Sequence, residues 1–180
     1  MVNSFWTSAN VEPKRKYRFL VQITGIDEVG ALWFAKGVNK PEITVEQTEH
    51  TFLNHKFYYP GMVTWNEVSM TLVDPVNPDA ARITAEMLEK SGYAGPSQLK
   101  NPNPQTNSKA KSTGAVGDVV ITVIDAEGQE LERWTLKNPF IVKVGYGELE
   151  YGDDALSEVT IDFRYDYAEL QAGGRTYWKN

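Results

Sequence analysis

Hydrophobic and polar positions alternate along KYRFLVQITGI (16–26): Tyr17, Phe19, Val21 and Ile23 share one face, opposite Lys16, Arg18, Gln22 and Thr24, with Leu20 the exception. The period of two predicts a strand. A turn over 27–30 leads into a second strand, ALWFAKGV (31–38), and Pro41 punctuates the start of a third, the polar, threonine-containing EITVEQTEH (42–50). In HTFLNHKFYYPG (50–61) the alternation fails. Read as a strand, it places Leu53, Phe57 and Tyr59 on one face and Phe52 and Tyr58 on the other, so neither face is the wet one. Pro60-Gly61 has the composition of a turn, and VTWNEVSMTLV (63–73) reads as the strand returning from it. The two arms predict a long hairpin with aromatic residues on both sides of its first arm.

The period then changes. Asn77 suits a helix N-cap, Pro78 the first helical position and Asp79 the first turn. Ala80, Ile83, Met87 and Leu88 form an apolar stripe over a helix at 78–91, which Gly92 stops. This is the one amphipathic helix the pattern predicts. The stretch 94–117, AGPSQLKNPNPQTNSKAKSTGAVG, is rich in Pro, Asn, Ser and Gly, and carries Lys100, Lys109 and Lys111 but no acid. It reads as a long structureless loop, a kind of connection that is usually functional or mobile. DVVITVIDAEGQELERWTL (118–136) predicts two strands around Ala126-Glu127-Gly128, and NPFIVKVGYG (138–147) carries the second onward. Across 157–168, Val159, Ile161, Phe163, Tyr165 and Tyr167 face one way, and Glu158, Thr160, Asp162, Arg164 and Asp166 the other. About seven or eight mostly antiparallel strands and one helix predict a β-sandwich or barrel closed by a helix. The organisation expected is a single domain over 1–180, with an N-terminal arm (1–15), a β core (16–75 and 118–170), and a C-terminal tail (171–180).

Composition narrows the function classes. With 41% hydrophobic and 23% charged residues the chain is ordinary for a globular protein, which excludes wholesale disorder. Its lack of cysteine excludes disulfides, thiolate metal sites and a cysteine nucleophile. No apolar run reaches the roughly 18 to 20 residues needed to cross a bilayer, and the first residues lack the order of a signal peptide, so the expectation is a soluble protein made in the cytoplasm without membrane insertion. A net charge of −6 argues against general binding to a phosphate backbone and suits a wall to which DNA must not stick.

Candidate chemistry is sparse. His50 and His55, five apart on a regular strand, fall on opposite faces and do not make a metal site. Asp153-Asp154 and the pair Asp162 and Asp166 lack calcium-loop spacing and read as solvated polar positions. No Gly-x-Ser-x-Gly motif or phosphate cradle occurs, so neither an enzyme nor a cofactor is expected. The surplus lies elsewhere, in an aromatic hairpin and open strand edges that invite pairing between copies.

Three segments carry a resemblance: LWFAKGVNKPEITVEQTEH (32–50), FLNHKFYYPGMVTWNEVSMTL (52–72) and IDAEGQELERWTLKNPFIVKVGYGELEYGDDALSEVTIDFRYDY (124–167). Their order of glycine turns, aromatic arm, Arg-Trp-x-Leu-x-Asn strand and Ser-Glu-Val opening of the last strand resembles the tail tube proteins of contractile-tailed bacteriophages. Relatives of that family form the inner tubes of pyocins and type VI secretion systems. The resemblance covers about 30–170 and leaves the loop 94–117 and the tail QAGGRTYWKN unmatched.

It implies homohexameric rings that stack into a hollow tube inside a contractile sheath. Strands of six copies pair into one lumen barrel, and the hairpin reaches the adjacent ring. The implied function is a conduit for DNA ejection in a virion tail assembled in the host cytoplasm. Its implied partners are itself, the tail sheath protein, baseplate and tail terminator proteins, and the tape measure protein and phage DNA in the lumen. Phe52, Leu53, Phe57, Tyr58, Tyr59, Pro60 and Gly61 are then the candidates for inter-subunit packing, against burial in the chain's own core. Glu158, Thr160, Asp162, Arg164 and Asp166 are the candidates for the lumen face, against plain outer surface. The alternatives are a secretion-system or pyocin-like tube, and, from another class, a β-sandwich carbohydrate-binding module using exposed Trp and Tyr.

Overall fold

Along β1 (Phe19–Ile23), Val21 and Ile23 turn inward and Leu20 outward, as a strand with one buried face requires. The structure, a computed structural model, describes residues 12–25, 35–97, 100, 106–152 and 154–179. The expected turn at 27–30, the first half of the second strand, most of the N-terminal arm and Asp153 lie outside the described residues.

β1 edges a five-stranded antiparallel sheet that continues through β6 (Val119–Ile124), β7 (Glu130–Lys137), β10 (Tyr167–Ala172) and β11 (Arg175–Tyr177), in the order β1-β6-β7-β10-β11. A second antiparallel sheet has the order β2-β5-β9-β8, from β2 (Ala35–Val38), β5 (Val68–Val73), β9 (Glu158–Arg164) and β8 (Phe140–Gly145). Val21, Ile121 and Leu136 of the first sheet and Val68, Met70, Ile161 and Phe163 of the second join in one buried cluster. The architecture is therefore a mainly β sandwich of two open sheets, not a closed barrel. Complete burial of a side chain such as Phe163 or Leu136 contributes about 1.5–3 kcal/mol, which makes this cluster the main stabilising element.

Helix α1 (Ala80–Lys90) occupies the expected place but starts later. Asp79, not Asn77, is the N-cap, its carboxylate accepting from the Arg82 amide at 2.8 Å, and the Asn77–Pro78 peptide is cis. Ala80 and Met87 are buried, and Gly92 follows the helix with φ of 101°. The expectation of one helix is corrected. A second, α2 (Lys109–Val116), lies inside the stretch read as structureless, capped by Ser108 and burying only Ala115 and Val116. Since only its last turn meets the core, no apolar stripe announces it. No helix among the described residues is long and apolar enough to cross a membrane.

Three expected strands divide in two. The strand at 63–73 breaks at Asn66-Glu67, where the Asn66 amide donates to the Glu42 carbonyl at 2.9 Å. The continuation at 138–147 begins afresh after Asn138, at φ of 53°, and β8 joins the other sheet. The last strand ends at Arg164, and the chain crosses from the second sheet to the first before β10. Tyr165 is buried at this crossing, so the inward alternation continues and hides the break. The tail does not trail away: Gly173 and Gly174, at φ of 57° and 75°, turn it back as β11.

Candidate functional site

β3 (Ile43–Phe52) and β4 (His55–Trp65) form a separate two-stranded arm. They contact mainly each other, and nearly every side chain on them is exposed. The turn is not at Pro60-Gly61. Phe52 pairs with His55, so Leu53 and Asn54 make the turn, with Leu53 at φ of 52°. Pro60 and Gly61 lie inside β4, where pairing slips from Val45↔Val63 to Gln47↔Pro60. That slip leaves Gly61 and Met62 opposite Glu46 alone, a β-bulge, which is one of the places a ladder tolerates proline.

The bulge and the true turn redistribute the aromatic residues. Cross-strand partners share a face, so the pairs His50↔Phe57 and Phe52↔His55 put Phe52, Phe57, Tyr59 and both histidines together. Tyr58, opposite Glu49, lies on the other face with Lys56. The expectation that Phe52 opposes Phe57, and that the histidines diverge, is thus overturned by a turn falling between them. Among the described residues no group of three His, Cys, Asp or Glu side chains is placed to hold a metal. Phe52, Phe57, Tyr58 and Tyr59 remain 47–62% exposed in the single chain and Leu53 82%, so none is buried in the chain's own core.

The base of the arm is anchored by rings that the sequence pattern did not bring together. Trp65 meets the Trp178 ring edge-on at 5.5 Å and the Tyr165 ring at 6.0 Å, and Trp178 stacks on Trp134 at 6.1 Å. Trp178 keeps about half of its surface exposed while it packs on these neighbours. Burial pushes the Tyr165 phenol up to about 12. Trp178 directly follows β11, so the once unmatched tail clasps the arm to the sandwich.

The outward face of β9 carries Glu158, Thr160, Asp162 and Arg164, in register with Val73, Thr71 and Ser69 of β5 and with Lys143 and Gly145 of β8. The acids do not stand alone: Lys36 bonds Glu158, and Arg164 lies 3.7 Å from Glu67. Asp166, expected on this strand, lies beyond its end. Its carboxylate accepts from Lys109 of α2 at 2.7 Å and from Asn138 at 2.7 Å, and these two hold its pKa below the usual carboxylate range. Asp166 therefore ties α2 to the crossing between the sheets.

No family model and no curated protein matches the chain. Solved structures do. A chain of the anti-feeding prophage tube-terminating cap superposes with a TM-score of 0.64 at 16% identity, covering 96% of this chain and all (100%) of that one. A chain of the sheath/tube terminator of the PVC extracellular contractile injection system, in its extended state, gives 0.61 at 15%, covering 91% and 100%. A chain of the PVC sheath-tube complex gives 0.60 at 14%, covering 89% and 92%. The chain has the fold of these components of contractile injection assemblies, the fold its sequence resemblance implies.

Proposed function

We propose that the chain is a structural subunit of the inner tube of a contractile tail, assembling as hexameric rings that stack into a conduit and acting by assembly rather than catalysis. One observation carries the reading: a hairpin arm that lies apart from its own core and keeps large apolar side chains uncovered on both faces, on a fold shared with tube-bearing assemblies. Such a surface is an aggregation liability in a monomer and a contact in an ordered polymer. Leu53 sharpens the point. A leucine at positive φ costs about 1 kcal/mol relative to glycine, and at the exposed tip this one gains nothing inside the chain. Phe52, Leu53, Phe57, Tyr58 and Tyr59 are the packing residues, while Pro60 and Gly61 set the arm's face through the bulge.

The four-stranded sheet supplies the wall. Its edges, β2 and β8, run in opposite directions, so rotation about an axis along the strands sets β8 of one copy antiparallel beside β2 of the next. Six copies close the sheet and remove its edges. The outward face of β9 then lines the lumen, with Asp166 beyond the strand's end. Its charge balance and short hydroxyl side chains give a polar wall without a strong field, suited to letting DNA slide past after sheath contraction. The likeness to chains of extracellular injection particles favours a second reading, in which the same tube serves a particle with other cargo. Capsid genes beside the sheath gene would select the phage tail.

The test is Phe57→Asp. Wild-type protein should sediment as rings or tubes and the variant as a folded species of monomer mass. A folded variant that polymerises as the wild type does contradicts the packing role.

A further inference from the structure

Where β1 and β2 approach each other, the sandwich opens into a groove of about 530 Å³. Lys14, Arg15, Lys16, Arg18, Lys36 and Lys40 line it, six of the 18 Lys and Arg in a chain of net charge −6. Phe19, Val38, Ile121 and Val123 add apolar lining. Three carboxylates answer the six cations: Glu132 takes Lys14 and Lys40, Glu158 takes Lys36, and Glu12 takes Arg18. Among the described residues no acid is bonded to the exposed Arg15 or Lys16. The groove carries surplus positive charge.

The complementary surface is on the same molecule but at the other edge of the four-stranded sheet. After β8 the segment 146–156, YGELEYGDDAL, exposes Glu148, Glu150 and Asp154, and alternates the first two with Leu149 and Tyr151, which are at least 91% exposed. Acids interleaved with uncovered large apolar side chains match a groove of cations with apolar lining. Direction agrees as well. Ala35, Leu72 and Val159 form one cross-strand row, and Gly37, Thr71, Thr160 and Gly145 the next. The segment therefore leaves β8 at the end of the sheet where β2 begins.

We infer that the segment 146–156 of one copy docks in the basic groove of the next copy around the ring, with Glu148, Glu150 and Asp154 answering Arg15, Lys16 and their neighbours. The contact rests on the ring reading above, which brings β8 beside β2. It makes the ring interface heterologous, each copy giving an acidic segment on one side and a basic groove on the other.

Charge exchange tests it on the full chain. R15E/K16E and E148K/E150K are compared with wild type and with the four-fold combination, with circular dichroism confirming the fold and sedimentation with negative-stain images reading assembly. Each double reversal should raise the concentration for half-assembly at least tenfold, and the combination should recover it to within about threefold. Reversals that assemble at the wild-type concentration, or a combination that recovers nothing, overturn the contact while leaving the tube reading in place. If R15E/K16E abolishes binding of a labelled DNA oligonucleotide and leaves assembly untouched, the groove is a nucleic-acid site and the proposal is wrong. If the wild type forms neither rings nor tubes, the tube reading fails and the contact with it.

Discussion

Glu132 sits 7% exposed on β7 between the ammonium groups of Lys14 and Lys40 and the indole N–H of Trp134. Burial alone pushes its carboxyl up, but the three donors outweigh it and hold the pKa at about 2, against an ordinary 4.5. A depressed pKa stabilises the fold above the ordinary carboxylate range, and that contribution is lost as pH falls from about 4.5 toward 2. Glu132→Gln should therefore cost about 1–2 kcal/mol at pH 7, less than a fully buried pair because both lysines are half exposed. Urea unfolding at pH 7, 5 and 3 checks it, and the gap to wild type should narrow as pH drops. A second prediction at this scale concerns Gly117, at φ of 67°, where an added Cβ would run into the Thr24 hydroxyl. Gly117→Ala should destabilise by about 1–3 kcal/mol in the same assay, through both the clash and the backbone strain. Neither role was legible in the sequence. Glu132 looked like one acid among the 24 Asp and Glu, and its two lysine partners come from 118 and 92 residues away.

At the scale of elements, what the sequence announced was whatever had one face on the core. The alternation of β1 and the β9 half of the last strand places Val21, Ile23, Ile161 and Phe163 inward as expected, because burial enforces a period of two. The arm has no such constraint within the chain, so its turn was misplaced: Pro60-Gly61 has turn composition, whereas Leu53-Asn54 turns against the preference of leucine. Helix α2 escaped for want of an apolar stripe, although Ser108 was a readable N-cap. The clasp of Trp178 on Trp65 joins β11 to the arm's base and was invisible, since it depends on the tail folding back. Trp178→Ala should cost about 1–2 kcal/mol and speed amide exchange around Ile43–Trp65 pairing, read by hydrogen exchange with mass spectrometry. Unchanged exchange there would show that the arm is held by other contacts.

At the scale of the whole molecule, two open sheets and a detached arm leave the isolated chain with exposed strand edges and uncovered aromatic faces. A monomer normally blunts such features, whereas copies of itself arranged around and along an axis cover all of them at once. The mixed charges on the β9 face refine the expectation of an acidic wall: Lys36, Lys143 and Arg164 stand among Glu158, Asp162 and Glu67. Asp162→Lys should therefore leave tube formation intact and slow DNA release in an infection assay, while normal release from normal tubes would remove β9 from the lumen. The most direct measurement is negative-stain electron microscopy of the purified protein over a range of concentrations. The account predicts six-fold rings and hollow tubes, and a stable monomer without rings or tubes at high concentration would contradict it.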